Sequence, residues 1–328
     1  MTALTALFIG GNGIISAAAS RLAVSRGVDL TMLTRGLGSW RPPIDGTQTL
    51  RGDASATDSI RSAIGDREWD VVVNFQLFNA TQAHENVELF AGRTRQYVFI
   101  STAAAYGKPV RNWPIVESTL LHNPHWPYAH GKIEAEAIFS MAHRDDRLPV
   151  TIVRPSHTYD PSLIPLPGGS TTLARIQNRQ PIIVHGDGTS IWTLTHHEDF
   201  AVGLVGLLGR PEAIGEAVHI TTDLTLTWDQ VAEQLGAALG AEPQIVHVAS
   251  QTLAREIPEW AHPLLGDWSY SEMYDNTKIK RLVPEFQAAT PFSQGAREIV
   301  DWHLMEPHRL EIDAELDARI DDLVKRFG

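Results

Sequence analysis

The sequence predicts an α/β protein, a doubly wound parallel sheet followed by a smaller C-terminal α/β lobe. Three observations predict it. Short β-rich runs alternate with helical patterns through the first half of the chain. A glycine-rich turn, Gly10-Gly11-Asn12-Gly13, directly follows the first run. After Pro155 the composition shifts, with Pro161, Pro165, Pro167, Gly168 and Gly169 crowding a stretch that can hold neither a long helix nor a central strand, so the chain leaves the sheet there. At 328 residues, 43% of them hydrophobic, the chain has ample material for a packed interior.

In order, strands are expected at 6–9, 29–34, 47–51, 71–75, 96–101 and 150–154. The segments between them are long enough for crossover helices, which makes the strands parallel and buried on both faces, as the continuous run Val71-Val72-Val73 fits. Beyond Pro155 a strand near 181–184, a helix near 198–208, a strand near 217–221 and a helix near 228–239 follow. Ile312, Leu316, Ile320, Leu323 and Phe327 share one face of a last helix, with acids early and Lys325 and Arg326 late, as the helix dipole favours.

Charge and composition exclude several classes. Lys and Arg total 27 against 39 Asp and Glu, a net charge of −12, whereas a phosphate-binding surface for nucleic acid or anionic lipid needs the opposite sign. With no cysteine, disulfides, thiolate nucleophiles and thiolate metal sites are ruled out, which fits a cytoplasmic location. The apolar stretch 3–24 lacks a basic leader and carries Asn12 and three glycines, and 201–209 is too short to span a bilayer. A soluble protein without membrane partners is expected.

The glycine turn opens a helix running to about Arg26, with Gly27 as its C-terminal cap. Such a turn lets the backbone approach a pyrophosphate, whose charge then sits on the helix N-terminus; the bland reading is a tight turn without a ligand. At the end of the second strand, where an acid would grip the ribose of NAD, stands Thr34-Arg35-Gly36. A guanidinium there suits a 2′-phosphate, so NADP is the expected cofactor and NAD the other candidate. Asp53 either caps the next helix or meets the adenine edge. Tyr128-Ala129-His130-Gly131-Lys132 puts a phenol and an ammonium on one helical face; a nearby cation favours the phenolate and fits Tyr128 for general acid/base work, while Lys132 could hold the nicotinamide ribose. Six tyrosines and five lysines give about 0.09 such pairs by chance. Thr102, after a strand ending Ile100-Ser101, is placed to hydrogen-bond a reacting oxygen, or to cap a local turn.

Gly10-x-x-Gly13-x-x-Ser16, Ser101-Thr102-x-x-x-Tyr106-Gly107, Tyr128-x-x-x-Lys132, Arg154-Pro155 and His196-x-x-Asp199 occur in the order seen in extended short-chain dehydrogenases/reductases. The chain resembles the NAD-dependent epimerase/dehydratase family from its N-terminus to about residue 240. The resemblance implies a Rossmann domain over 1–154, rejoined by 193–218, and a substrate-binding lobe from 155–192 and 219–328. It implies catalysis by Thr102, Tyr128 and Lys132, a cofactor held among Gly10, Gly13, Ile14, Ile15, Arg35, Asp53, Asn74, Lys132 and Pro155, and a homodimer. Family dehydratases carry acids just after the hydroxyl matching Thr102, where this chain has Ala103 and Ala104, so simple elimination loses support. His157 stands where sugar-nucleotide members have asparagine, Asp160 where a glycine is common, and Trp192 where an arginine often meets the diphosphate. Trp192 then either stacks on a sugar ring or packs in the core. Ser16 replaces the third glycine, and Gln76 a small residue after Asn74. The histidines match no metal-helix spacing, and none is expected to hold a metal. The function expected is an NADP-dependent oxidoreductase acting on a small, sugar-like secondary alcohol or ketone, with His157 and Trp192 beside Thr102 and Tyr128 at the substrate. A nucleotide-sugar 4-epimerase with tightly bound NAD comes second, and a cofactor-sensing or RNA-binding protein third.

Overall fold

The structure is a computed structural model that describes residues 3–36 and 41–328. The first half runs β1 (Thr5–Ile9), α1 (Ile14–Ser25), β2 (Asp29–Thr34), β3 (Gln48–Arg51), α2 (Thr57–Ile64) and β4 (Trp69–Asn74). It continues through α3 (Ala80–Phe90), β5 (Thr94–Ile100), α4 (Pro127–Arg144) and β6 (Val150–Pro155). The second half opens with β7 (His157–Tyr159), α5 (Gly169–Gln177), β8 (Ile182–His185), β9 (Ile191–Trp192), β10 (Leu194–His196), α6 (His197–Leu207) and β11 (Ala217–Ile220). It closes with β12 (Leu226–Thr227), α7 (Trp228–Leu239), β13 (Ile245–Val248), α8 (Ser250–Glu256), α9 (Ala261–Pro263), α10 (Thr277–Leu282), α11 (Phe292–Leu304) and α12 (Ala314–Phe327).

Seven parallel strands form one sheet in the order β11-β6-β5-β4-β1-β2-β3. The chain starts in the middle and winds both ways, so the direction reverses between β1 and β4 and leaves a crevice at the carboxyl ends of the strands. Helices cover both faces. On one face Ala18, Ala19 and Ala23 of α1 and Phe200 and Leu204 of α6 pack on Val71, Val73 and Val98. On the other, Val87 and Phe90 of α3 and Phe139 of α4 cover Leu7, Val72, Tyr97 and Phe99. Apolar residues at successive positions of β4 are therefore all buried, which is the physical content of its unbroken valine run.

The second lobe is built from short pairings, β8 with β13, β7 with β10 and β9 with β12, around a core of Trp192, Trp228, Val231, Leu235 and Ile299. α12 buries Ile320 and Leu323, while Ile312 and Phe327 stay 38% and 46% exposed, Ile312 because it lies one residue before the Asp313 cap and so outside the helix. α6 and β11, encoded after the departure at β6, pack back on α1 and pair with β6.

Candidate active site

Two concavities open along the strand ends. The first, a groove of about 650 Å³, is bounded by the turns after β1 to β4, with Gly10, Gly13, Arg35, Asp53 and Gln76 in its wall. Gly10 takes φ +86°, and a Cβ there would meet Gln76 Cγ at 2.4 Å, so the turn admits only glycine beneath that side chain. Ser16 stands for the missing third glycine by bracing the loop: its hydroxyl accepts from the Gly13 amide at 2.6 Å and donates to the Gly10 carbonyl at 2.8 Å. The first turn of α1 has no acid, so its amides and dipole remain available to an anion. Glycine turn, groove size and helix terminus together fit a dinucleotide.

Other residues expected at the cofactor fall in different places. Arg35 is exposed on the groove wall. Asp53 does not cap α2, whose N-cap is Ala56; its carboxylate instead accepts from the Ser55 amide and hydroxyl, which hold its pKa below the usual range with a smaller contribution from Arg35. Asn74 is buried beneath the groove, accepting from the Gln76 amide and donating to Asn86. Ile15 packs on the α1 side of the core and Ile14 opens the helix. Pro155 ends β6 and lines the second cavity, not the groove. Arg41, which the sequence reading passed over, lines the groove and ties it to the lobe through Asp160 and Ser162.

The second cavity, about 320 Å³, lies after β5 and β6 and is walled by Thr102, Tyr128, His157, Asp267 and Glu272 among others. Pro127 fixes the first turn of α4 and so the place of Tyr128. Thr102 caps the turn 103–105, its Oγ accepting from the Ala104 amide at 3.2 Å, and it lines the cavity with Tyr128, close enough to act on that phenol's pKa. Burial pushes Tyr128 above its ordinary pKa, with the Thr102 contact working against that rise and the charge of Asp267 adding to it.

Lys132 lies one turn further along α4. Its Nζ donates to the carbonyls of Leu77 at 2.6 Å and Ile100 at 2.8 Å, below the rings of Phe78 and Tyr128. Gly131 makes this approach possible, since a Cβ there would stand 2.2 Å from the Phe78 carbonyl. Burial lowers Lys132 to about 7, and the nearby Glu136 resists that fall. Glu136 takes Arg154 through both carboxylate oxygens and the Ser101 hydroxyl as well, so α4, β5 and β6 are locked together beneath the site.

His157 lines the cavity, whereas Trp192 does not. The indole is 2% exposed and packs on Trp228 at a ring distance of 5.1 Å. Its Nε1 donates to His157 Nδ1 at 3.1 Å, so Trp192 reaches a ligand only through the imidazole it orients. Burial brings His157 down to about 4, which leaves it neutral with its proton on Nε2.

Residues 6–221 match the NAD dependent epimerase/dehydratase family. The chain belongs to that family. Among curated relatives, a chloroplast stem-loop binding protein of Arabidopsis thaliana is 26% identical over 258 residues, 74% of this chain and 65% of its own length. A trifunctional UDP-glucose 4,6-dehydratase/UDP-4-keto-6-deoxy-D-glucose 3,5-epimerase/UDP-4-keto-L-rhamnose-reductase of the same plant is 25% identical over 66% of this chain and 30% of its own. The chain thus spans less than two thirds of these relatives. Among solved structures, an epimerase of Methanothermobacter thermautotrophicus superposes with a TM-score of 0.77 at 17% identity, covering 94% of both chains. A dTDP-glucose 4,6-dehydratase of Bacillus anthracis in complex with NAD gives 0.74 at 19% identity over 94% of this chain and all of that one. No helix among the described residues is long and apolar enough to cross a membrane.

Beyond the sequence motifs, this family member places Lys108, Asp267, Glu272 and Trp126 at or behind the second cavity. Only Glu136 had a local signal, its spacing of four from Lys132 on one helix.

Proposed function

We propose that the protein is an oxidoreductase that prefers NADP and interconverts a secondary alcohol and a ketone on a small, sugar-like substrate. The observation that carries this reading is the pairing of Thr102 and Tyr128 in the wall of one cavity, with Lys132 buried behind them. When bound, the nicotinamide supplies or accepts the hydride. In ketone reduction Tyr128 gives its phenolic proton to the carbonyl oxygen as the alcohol forms, and Thr102 orients that oxygen. Oxidation runs these transfers backwards. A buried phenol at rest is a proton donor, so the resting protonation state favours reduction. Lys132 anchors α4 to the ends of β4 and β5, and its Nζ lies 5.8 Å from the Tyr128 ring centroid, behind the reacting phenol. NADPH oxidation and NADP reduction, screened against sugars, lactones and ketones, test the reading; no turnover with any member of the panel would refute it. The proposal includes pairing of two copies, read by light scattering.

A second reading, a nucleotide-sugar 4-epimerase, is favoured by solved neighbours such as a UDP-glucose 4-epimerase of Thermotoga maritima. Arg35 at the ribose position and the neutral His157–Trp192 pair oppose it, since a diphosphate needs a matching cation where it is buried. Titration of UDP, GDP and dTDP into cofactor-loaded protein separates the two: micromolar binding of any of them promotes the epimerase. The stem-loop binding relative raises RNA as a partner, which the net charge of −12 opposes.

A further inference from the structure

The substrate cavity has an acidic wall that the proton transfer above leaves unused. Asp267 and Glu272 enter from the second lobe and line the cavity together with Thr102 and Tyr128. Behind them Lys108 is buried, its Nζ paired with Glu272 and lying 3.4 Å from Asp267 Oδ1. Glu272 is fully engaged, by Lys108 on one oxygen and by the Tyr274 hydroxyl on the other. Asp267 is not. It is 9% exposed; its buried Oδ1 is turned to Lys108 at 3.4 Å, and no hydrogen bond or ion pair among the described residues engages its other carboxylate oxygen.

Two carboxylates against one ammonium leave an excess negative charge, and it falls on the residue with unused acceptor capacity. A carboxylate removed from water that shares one ammonium with a second carboxylate has its desolvation cost only partly offset, so a ligand donor placed against it gains more than at a solvated site. Its position is fixed by the surrounding frame. Asn123 Nδ2 donates to the Ala104 carbonyl at 2.8 Å and the Gly266 carbonyl at 2.6 Å, joining the turn that carries Asp267 to the loop that carries Thr102. The Trp268 carbonyl accepts from Trp228 Nε1 at 3.1 Å and from His185 Nε2 at 2.8 Å, which anchors the other side of that turn.

We infer that Asp267 is a substrate-binding residue that accepts a hydrogen bond from a donor, hydroxyl or ammonium, on a carbon close to the reacting one, and that the cavity rejects substrates carrying an anion at that place. This rests on Thr102 and Tyr128 being the reacting pair. The repulsion is stronger than at a solvated surface because Asp267 is buried in the cavity wall, where like charges are less screened.

Calorimetry on the full chain loaded with NADPH tests it, with three probes differing only at C6: 6-amino-6-deoxy-D-glucose, D-glucose and D-glucuronate, together with the matching galactose series. The amine or the neutral sugar is expected to bind about tenfold or more tightly than the acid. A tighter amine identifies an ammonium as the donor, and a neutral sugar that binds as well or better identifies a hydroxyl. Asp267→Asn is expected to shrink the discrimination against the acid to within about threefold. An acid that binds as well as its neutral partner, or no millimolar binding by any probe, overturns the inference. The wild-type comparison stands even if that variant fails to fold. Loss of selectivity with the Tyr128→Phe defect intact refutes Asp267 alone, whereas turnover surviving Tyr128→Phe refutes the reaction.

Discussion

A phenol that burial keeps protonated is a donor first, and Tyr128 is such a phenol. Tyr128→Phe deletes the transferable proton and little else, so turnover should fall by about 10² to 10⁴ while the melting temperature and NADPH affinity stay near wild type. Stopped activity with unchanged cofactor binding by calorimetry is the expected pair of results. Arg35 belongs to the same scale. As an exposed guanidinium in the groove it should favour NADPH over NADH by about 1 to 3 kcal/mol, reduced because Asp53 lies within its field, and Arg35→Ala should equalise the two. Equal wild-type affinities would show that the arginine is only a solvated loop residue. Tyr128 and Lys132 were legible from sequence because both lie on one helix, where a spacing of four fixes a shared face. Asp267, Glu272 and Lys108 were not legible, because only the path of the whole chain brings them together. For Trp192 the sequence left sugar stacking and core packing both open, and the choice falls to the core because of Trp228, which comes from a distant helix.

At the scale of elements, α4 is the part on which the site hangs, and two of its residues hold it. Glu136 joins Arg154 and Ser101 in an almost fully buried network, so Glu136→Ala leaves a guanidinium without its partner and should cost about 3 to 5 kcal/mol in urea unfolding. Gly131→Ala forces a methyl against the Phe78 carbonyl and should tilt the helix, lowering kcat more than it raises KM because the reacting phenol moves. At the surface, Asp313 accepts from the amides of Glu315 and Leu316, and Asp313→Ala should cost about 1 kcal/mol. The strands of the sheet were readable because runs such as Val71 to Val73 are buried on both faces. The pairs β9–β12 and β7–β10 were not, since strands of two or three residues carry no period, and what sets them is the packing of the lobe around Trp192 and Tyr159.

For the whole molecule, pH is the most informative variable. Burial brings His157, His185 and His197 each down to about 4, below the ordinary imidazole value of 6.5. Between those values the unfolded chain binds more protons than the folded one, so stability is full above about 6.5 and is lost as pH falls towards 4, by at most about 3 kcal/mol for each histidine. Asp267 acts in the opposite sense: raised to about 6, it costs stability above that pH and releases the cost as pH falls through it towards 4. The melting temperature should therefore drop between pH 7 and 4.5, since three histidines outweigh one carboxyl. Asp267→Asn should steepen that fall by removing the opposing group. A flat profile would mean that the imidazoles are more hydrated than their burial indicates.

The return of α6 and β11 to the sheet after the excursion through the second lobe has a consequence for biosynthesis. While a ribosome has delivered only the first 155 residues, β6 is an open edge and the face destined for Phe200 and Leu204 is bare. The nascent chain then needs shielding until residue 220 has emerged, and a version truncated at 155 should collect in inclusion bodies where the full chain stays in solution.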